Sequence, residues 1–289
     1  MMGLCVSQRT TPQWSFEEDV VFYSEAGVTG IGLWRGKLLQ VDEEKASELL
    51  SGSALRPLYL DWAGGFTGTH GWSYRAAMEE AIRYINWARR WGAQIVIIHS
   101  GERGRHTFNH SRRILREALK ELEPVARQNG VFLGLEPVHP ADPEKLTYLQ
   151  RIEEALEFVA VVGGSHVKIV YDLGHLGLDL EVLRRLDEWV KELALVQVAD
   201  IRLENGEPRR VPPGKGVVPV AKILTMLREA GYSGPFDVEI WGPEVANYSP
   251  HQLLEEAKNF FQHQIFPTFN PGSAACPSPI VSSPPRWEA

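Results

Sequence analysis

One arrangement recurs along this chain: a short apolar run, a polar break, then a longer amphipathic segment. "GLCVSQ" leads to "SFEEDVVFYSEAG", "TGIGLW" to "DEEKASELLSG", and "RPLYLDW" to "SYRAAMEEAIRYINWARRWG". "AQIVIIH", "VFLGLE", "HVKIVYD", "LALVQVAD" and "FDVEIW" each open a further unit of the same kind. The short runs have the length and branching of buried strands, and the longer segments place apolar residues at helical spacing. Parallel strands cannot be joined by tight turns and need a crossover, usually a helix. Eight strand–helix units in about 260 residues are what a closed (β/α)8 barrel requires. A doubly wound open sheet is the competing α/β architecture. Its first strand–helix turn normally carries a glycine-rich phosphate loop, and "SQRTTPQW" is nothing like one.

Punctuation agrees with this frame. Gly27, Gly92, Gly130, Gly163 and Gly231 follow amphipathic segments, as helix-terminating residues do. Ser15, Ser73 and Ser111 are expected to precede or open helices as N-caps. Near the end the pattern stops: "FPTFNPGSAACPSPIVSSPPRWEA" holds six prolines and no helical or strand period. The expected organisation is a barrel over residues 1–263 and a flexible Pro/Ser-rich tail over 264–289.

Charge and cysteine content narrow the function classes. A net charge of -7 argues against non-specific nucleic-acid binding, which needs a basic face. The two cysteines, Cys5 and Cys276, form no CxxC pair, so neither a zinc ribbon nor a disulfide framework is expected. No apolar run is long enough to span a bilayer, and the start "MMGLCVSQRTTPQW" lacks the pattern of a signal peptide. The expectation is a cytoplasmic protein with a small-molecule partner, with neither nucleic acid nor membrane.

In a (β/α)8 barrel the site lies at the C-terminal ends of the strands. "IVYDLGHLG" ends a strand at Asp172 and places His175 just beyond it, between two glycines. Glu136 ends the run "FLGLE", Gln197 and Asp200 sit in "LVQVAD", and Glu239 sits in "FDVEIW". Four successive strands thus present Glu, Asp, Gln and Glu toward one mouth. Ionised carboxylates this close repel, at a cost of several kcal/mol unless a cation compensates. A divalent metal resolves the conflict, and an oxygen-rich ligand set suits Mn²⁺ or Mg²⁺, with Zn²⁺ also admissible.

"LEPVHP", "YDLGHLG", "VQVAD…PPGKG" and "GYSGPFDVEIWG" resemble the xylose isomerase-like TIM-barrel superfamily over essentially residues 4–262. That superfamily includes ketohexose epimerases, hydroxypyruvate isomerase, inosose dehydratase and an endonuclease branch. The resemblance implies that Glu136, Asp172, Gln197 and Glu239 hold one divalent metal, and that His175 contacts substrate. It further implies that Glu136 and Glu239 are the acid–base pair of a sugar or sugar-phosphate isomerase or epimerase working through an enediolate, and it admits a homodimer. Gln197 departs from the pattern, because the superfamily has His at that position. An amide oxygen is the weaker ligand.

His99, His139, Trp34, Trp62, Asp200 and Arg210 are further candidates for contact with substrate. Arg210 and Lys215, in "EPRRVPPGKG", have the chemistry to grip a phosphate or carboxylate. Two other readings remain open at this stage. One is a dehydratase or lyase acting on a keto-inositol, which shares the initial proton abstraction. The other is a non-catalytic sugar-binding barrel, which Gln197 favours.

Overall fold

Ile95–His99 is buried at every position, so this strand has no solvent face and must be covered on both sides. A parallel barrel wrapped in helices provides that cover. The computed structural model describes residues 3–265, except 143 and 206, and shows such a barrel. Its strands are β1 (Cys5–Ser7), β2 (Gly30–Trp34), β3 (Arg56–Gly64), β4 (Ile95–His99) and β5 (Phe132–Leu135). They continue with β6 (Val167–Asp172) and β7 (Leu193–Val198), then β8 (Asp200–Glu204), β9 (Glu207–Val211) and β10 (Phe236–Val238). Strands β1 to β7 follow one another round the ring, β10 pairs with β7, and Val6 opposite Val238 closes it. The predicted (β/α)8 architecture is therefore observed.

The helix Tyr74–Trp91 shows how the sequence pattern becomes packing. Ala77, Ala81, Tyr84, Ile85 and Ala88 fall on one face at helical spacing, and all are buried against the barrel. Ser73 caps its start by accepting from the Ala76 amide, and Gly92 ends it at φ +77°, a left-handed conformation that costs a residue with a Cβ more. Ser15 completes a reciprocal capping box with Glu18. Ser111 corrects the reading of the third cap. It lies inside the helix Phe108–Asn129, whose N-cap is Thr107, because Thr107 takes the extended conformation and accepts from the His110 amide.

Two other segments differ from expectation. "LEVLRRLDEWVKE" forms two short helices, Leu180–Arg184 and Leu186–Trp189, and then a 3₁₀ turn. The chain bends at Arg185, while the Trp189 indole N–H donates to the Val182 carbonyl and its ring packs edge-on to Tyr171. The stretch after β7, between this strand and the next helix, folds into the antiparallel hairpin β8–β9, which pairs Ile201 with Arg210. This hairpin carries Arg210 back over the mouth.

Inside the ring, Cys5, Leu58, Ile95, Ile97, Val170 and Leu195 cluster from five different strands and fill the barrel interior. The larger core lies between strands and helices. The last described turn, Phe261–Ile265, keeps Ile265 buried. The tail expected over 264–289 lies, from residue 266 onward, outside the described residues. Among the described residues, no helix is long and apolar enough to cross a membrane.

Candidate active site

Parallel strands end together, so the residues just past their last pairings converge at one rim. Glu136 follows β5, Asp172 ends β6, Gln197 lies in β7, and Glu239 follows β10. All four are buried at the rim, with His99 and His175 beside them. The short helical turn Leu173–Leu176 aims His175 inward, and Asp172 starts that turn by accepting from the Gly174 amide at 2.6 Å.

One oxygen or nitrogen from each of Glu136, Asp172 and His175 lies within 4.8 Å of the others, a spacing that one ion can bridge. His175 Nε2 is 3.6 Å from Asp172 Oδ2 and 3.9 Å from Glu136 Oε1. Burial, aided by Arg210 and Arg9, pushes the His175 pKa well below its ordinary value, so the ring is neutral and offers a lone pair. Gln197 and Glu239 instead face each other. The Gln197 amide donates to Glu239 Oε2, while Gln197 Oε1 is buried with no hydrogen-bond partner. Two carboxylates, a neutral imidazole and an orphaned amide oxygen form a donor set that suits a divalent cation.

The acids are held differently on the two sides. Glu136 Oε2 shares a hydrogen bond with His99 Nε2 at 2.9 Å. Burial, with Asp172 nearby, lifts the Glu136 pKa to about 8, and burial lowers that of His99 to about 4. Glu239 receives the Tyr59 hydroxyl at 3.2 Å and lies 3.5 Å from Arg9 Nη1. Its pKa too is raised by burial, with Asp61 adding repulsion. Beneath it, Asp237 accepts from the same tyrosine at 2.8 Å.

Two arginines supply the positive charge. Arg210 grips Asp172 with both nitrogens of its fork, and Arg9 reaches Glu144 at 2.8 Å. Both guanidinium groups lie over the ring of Trp241, at 4.2 Å for Arg9 and 4.7 Å for Arg210.

The remaining candidates scatter. Trp62 lies 5.4 Å from the His99 ring, with Arg35 stacked on its face. Trp34 is half-buried and packs over Gly36. His139 is exposed and accepts from the Ala141 amide; it borders a cleft of about 490 Å³ that also includes Asp142. Asp142 connects that cleft to the charged cluster, 3.9 Å from His175. Asp200 anchors a loop: its carboxylate accepts from the amides of Ile201, Gly214, Gly216 and Val218 at 2.7–3.0 Å. Lys215 pairs with Glu256 at 3.1 Å, outside the cluster.

Sequence reasoning missed Arg9, Tyr59, Asp61, Asp237 and Trp241. For Asp61 the signal was present, a carboxylate inside the apolar run "LYLDWA", the same kind of signal that exposed Asp172. Arg9 and Trp241 gave none, since they become site residues only when β1 closes against β10.

The sequence pattern of the xylose isomerase-like TIM barrel family matches residues 20–264, and the chain belongs to that family. It is 30% identical to D-psicose 3-epimerase of Enterocloster bolteae over 158 residues, 48% of each chain. It is 26% identical to inosose isomerase of Bacillus velezensis over 71% of this chain and 74% of that one. The match thus spans about half the length of the first relative. A crystal structure of the IolI protein with a bound zinc atom superposes with a TM-score of 0.79 at 22% identity, covering 93% of this chain and 100% of that one.

Proposed function

We propose that this protein is a sugar isomerase or epimerase that moves a proton at a carbon next to a carbonyl. The observation that carries this reading is the pair of buried carboxyl groups, Glu136 and Glu239. They are separated round the rim by β6 and β7 and held by different partners. Two relatives named as an epimerase and an isomerase of polyhydroxy ketones support it.

Glu136, Asp172 and His175 would hold a divalent cation, with Gln197 Oε1 free to join them. When bound, the cation polarises the substrate carbonyl and acidifies the adjacent C–H. One imidazole among oxygen donors keeps Mn²⁺ and Zn²⁺ both admissible. The chain's own residues do the rest. Glu239, oriented by Tyr59 and Arg9, takes the proton from one face. Glu136 works on the other face, where it returns a proton that reaches it through its hydrogen bond to His99. Acid–base groups placed in this way contribute about 10²–10⁴-fold in rate. Arg210 fixes Asp172, and Trp241 walls the site between the two arginines.

The test is solvent deuterium wash-in next to the carbonyl of ketohexoses and inososes, with Mn²⁺ or Zn²⁺ supplied and then removed by chelation. Wild-type protein is expected to incorporate deuterium, and Glu239→Gln to abolish incorporation while keeping its melting temperature. Full exchange in that variant would overturn the role given to Glu239. Water loss from the product would assign the keto-inositol dehydratase reading instead.

A further inference from the structure

The β3 end carries a carboxylate for which the proton transfer has no use. Asp61 is 1% exposed, and neither of its oxygens has a hydrogen-bond partner. Its nearest cation is Arg9, at 3.9 Å, too long for a hydrogen bond. Arg9 is already committed to Glu144 at 2.8 Å and lies closer to Glu239 than to Asp61. A buried carboxylate with both oxygens unmet destabilises the fold, because folding strips its water without replacement. Asp61 is nevertheless well placed. The guanidinium of Arg9 lies between it and Glu239, and the next residue, Trp62, packs against the His99 ring.

Other atoms round this mouth are unmet too. His99 Nδ1 and Trp241 Nε1 are buried and without hydrogen-bond partners. A polyol presents donors and acceptors at every carbon and complements all three groups. A phosphate does not. A phosphate dianion brings no donor for Asp61 and would be repelled by its charge. Both arginines that reach the mouth are already paired with carboxylates, Arg9 with Glu144 and Arg210 with Asp172.

We infer that Asp61 is a specificity-determining residue that accepts hydrogen bonds from two neighbouring hydroxyls of an unphosphorylated polyhydroxy substrate. This rests on reading the mouth as a sugar site but is independent of which residue moves the proton. One carboxylate spans a vicinal diol with its two oxygens, so it selects for the hydroxyls beyond the reacting carbon and against a phosphate there.

The experiment is equilibrium binding by calorimetry to the full chain with Mn²⁺ present. The probes are psicose, tagatose, an inosose and the 6-phosphates of the two ketohexoses. At least one free sugar is expected to bind roughly tenfold or more tightly than either phosphate, and Asp61→Asn to weaken that sugar by about tenfold or more. Thermal melts keep the result interpretable. Asp61→Asn removes a buried unmet charge, so its melting temperature should hold or rise. A fall in melting temperature would assign Asp61 a structural role and overturn the inference. Unchanged binding in the variant, tighter binding of a phosphate, or no binding of any free sugar would overturn it as well. Sugar binding without deuterium incorporation would defeat the proposed proton transfer and leave the Asp61 subsite standing.

Discussion

Arg210 holds Asp172 by a two-pronged contact, Nη2 to Oδ2 at 2.6 Å and Nη1 to Oδ1 at 3.2 Å, with both side chains buried. The hairpin β8–β9 exists, in effect, to deliver that guanidinium to the end of β6. The contact sets the orientation of a carboxylate expected to bind metal, and it leaves neither charge alone in a dry environment.

Removing one partner should therefore cost far more than removing both. Arg210→Ala strands a buried carboxylate, at roughly 3–5 kcal/mol, and should lower the melting temperature by about 10 °C. Arg210→Ala combined with Asp172→Asn should recover part of that loss. A thermal double-mutant cycle measures the coupling, and additive effects would mean that the pair contributes nothing as a pair.

The acids of the mouth predict how stability follows pH in chelator-treated protein. The pKa of Glu136 is raised by burial from 4.5 to about 8, so the native state holds a proton that the unfolded state has lost throughout this window. A group shifted in this direction favours the fold at low pH and loses that effect as pH rises. His99, depressed by burial to about 4, opposes it only below its unfolded value of 6.5. Between pH 6.5 and 8.5 the melting temperature should thus fall, by about 5 °C. Glu136→Gln should flatten that slope. Added Mn²⁺ or Zn²⁺ should flatten it too, by favouring the ionised carboxylate. Scanning calorimetry across that range checks both.

Asp200 predicts a stability defect with a local signature. Its carboxylate satisfies four backbone amides, that of Ile201 in β8 and those of Gly214, Gly216 and Val218 in the loop after β9, and hydrogen bonds to a charged group contribute about 1.5–3 kcal/mol each at most. Asp200→Ala should lower the melting temperature by about 5–10 °C. It should also speed hydrogen exchange at Gly214 and Gly216 before other loops respond. Unchanged exchange there would remove the anchoring role.

Gln197→His should tighten binding of a divalent cation roughly tenfold, about 1.4 kcal/mol, by replacing an amide oxygen with imidazole nitrogen. The same change breaks the amide contact to Glu239, so the rate of deuterium exchange should not rise with affinity. Metal titration by calorimetry, beside the exchange assay, separates the two effects.

Much of this was readable along the chain. The eight apolar runs, the glycines that end helices and the carboxylates at Glu136, Asp172 and Glu239 are local features. Each reports the environment of its own segment, because a carboxylate inside an apolar run marks a position that its surroundings must satisfy. The family resemblance carried by "LEPVHP" and "YDLGHLG" agrees with the matching family pattern. Other features depended on residues far apart. Thr107 outcompeted Ser111 for a cap, and the segment 180–189 bends at Arg185, with the Trp189 indole donating to the Val182 carbonyl.

By itself the sequence determined the barrel and the rim on which its chemistry would collect, since hydrophobic period and strand ends are properties of single segments. Only the tertiary structure decided how the charges on that rim are shared. It set Arg210 on Asp172, Gln197 on Glu239, His175 beside Glu136, and left Asp61 without a donor. The physical reason is that electrostatic partnership depends on distance through space, and ring closure brings together side chains as far apart in the sequence as Arg9 and Glu239.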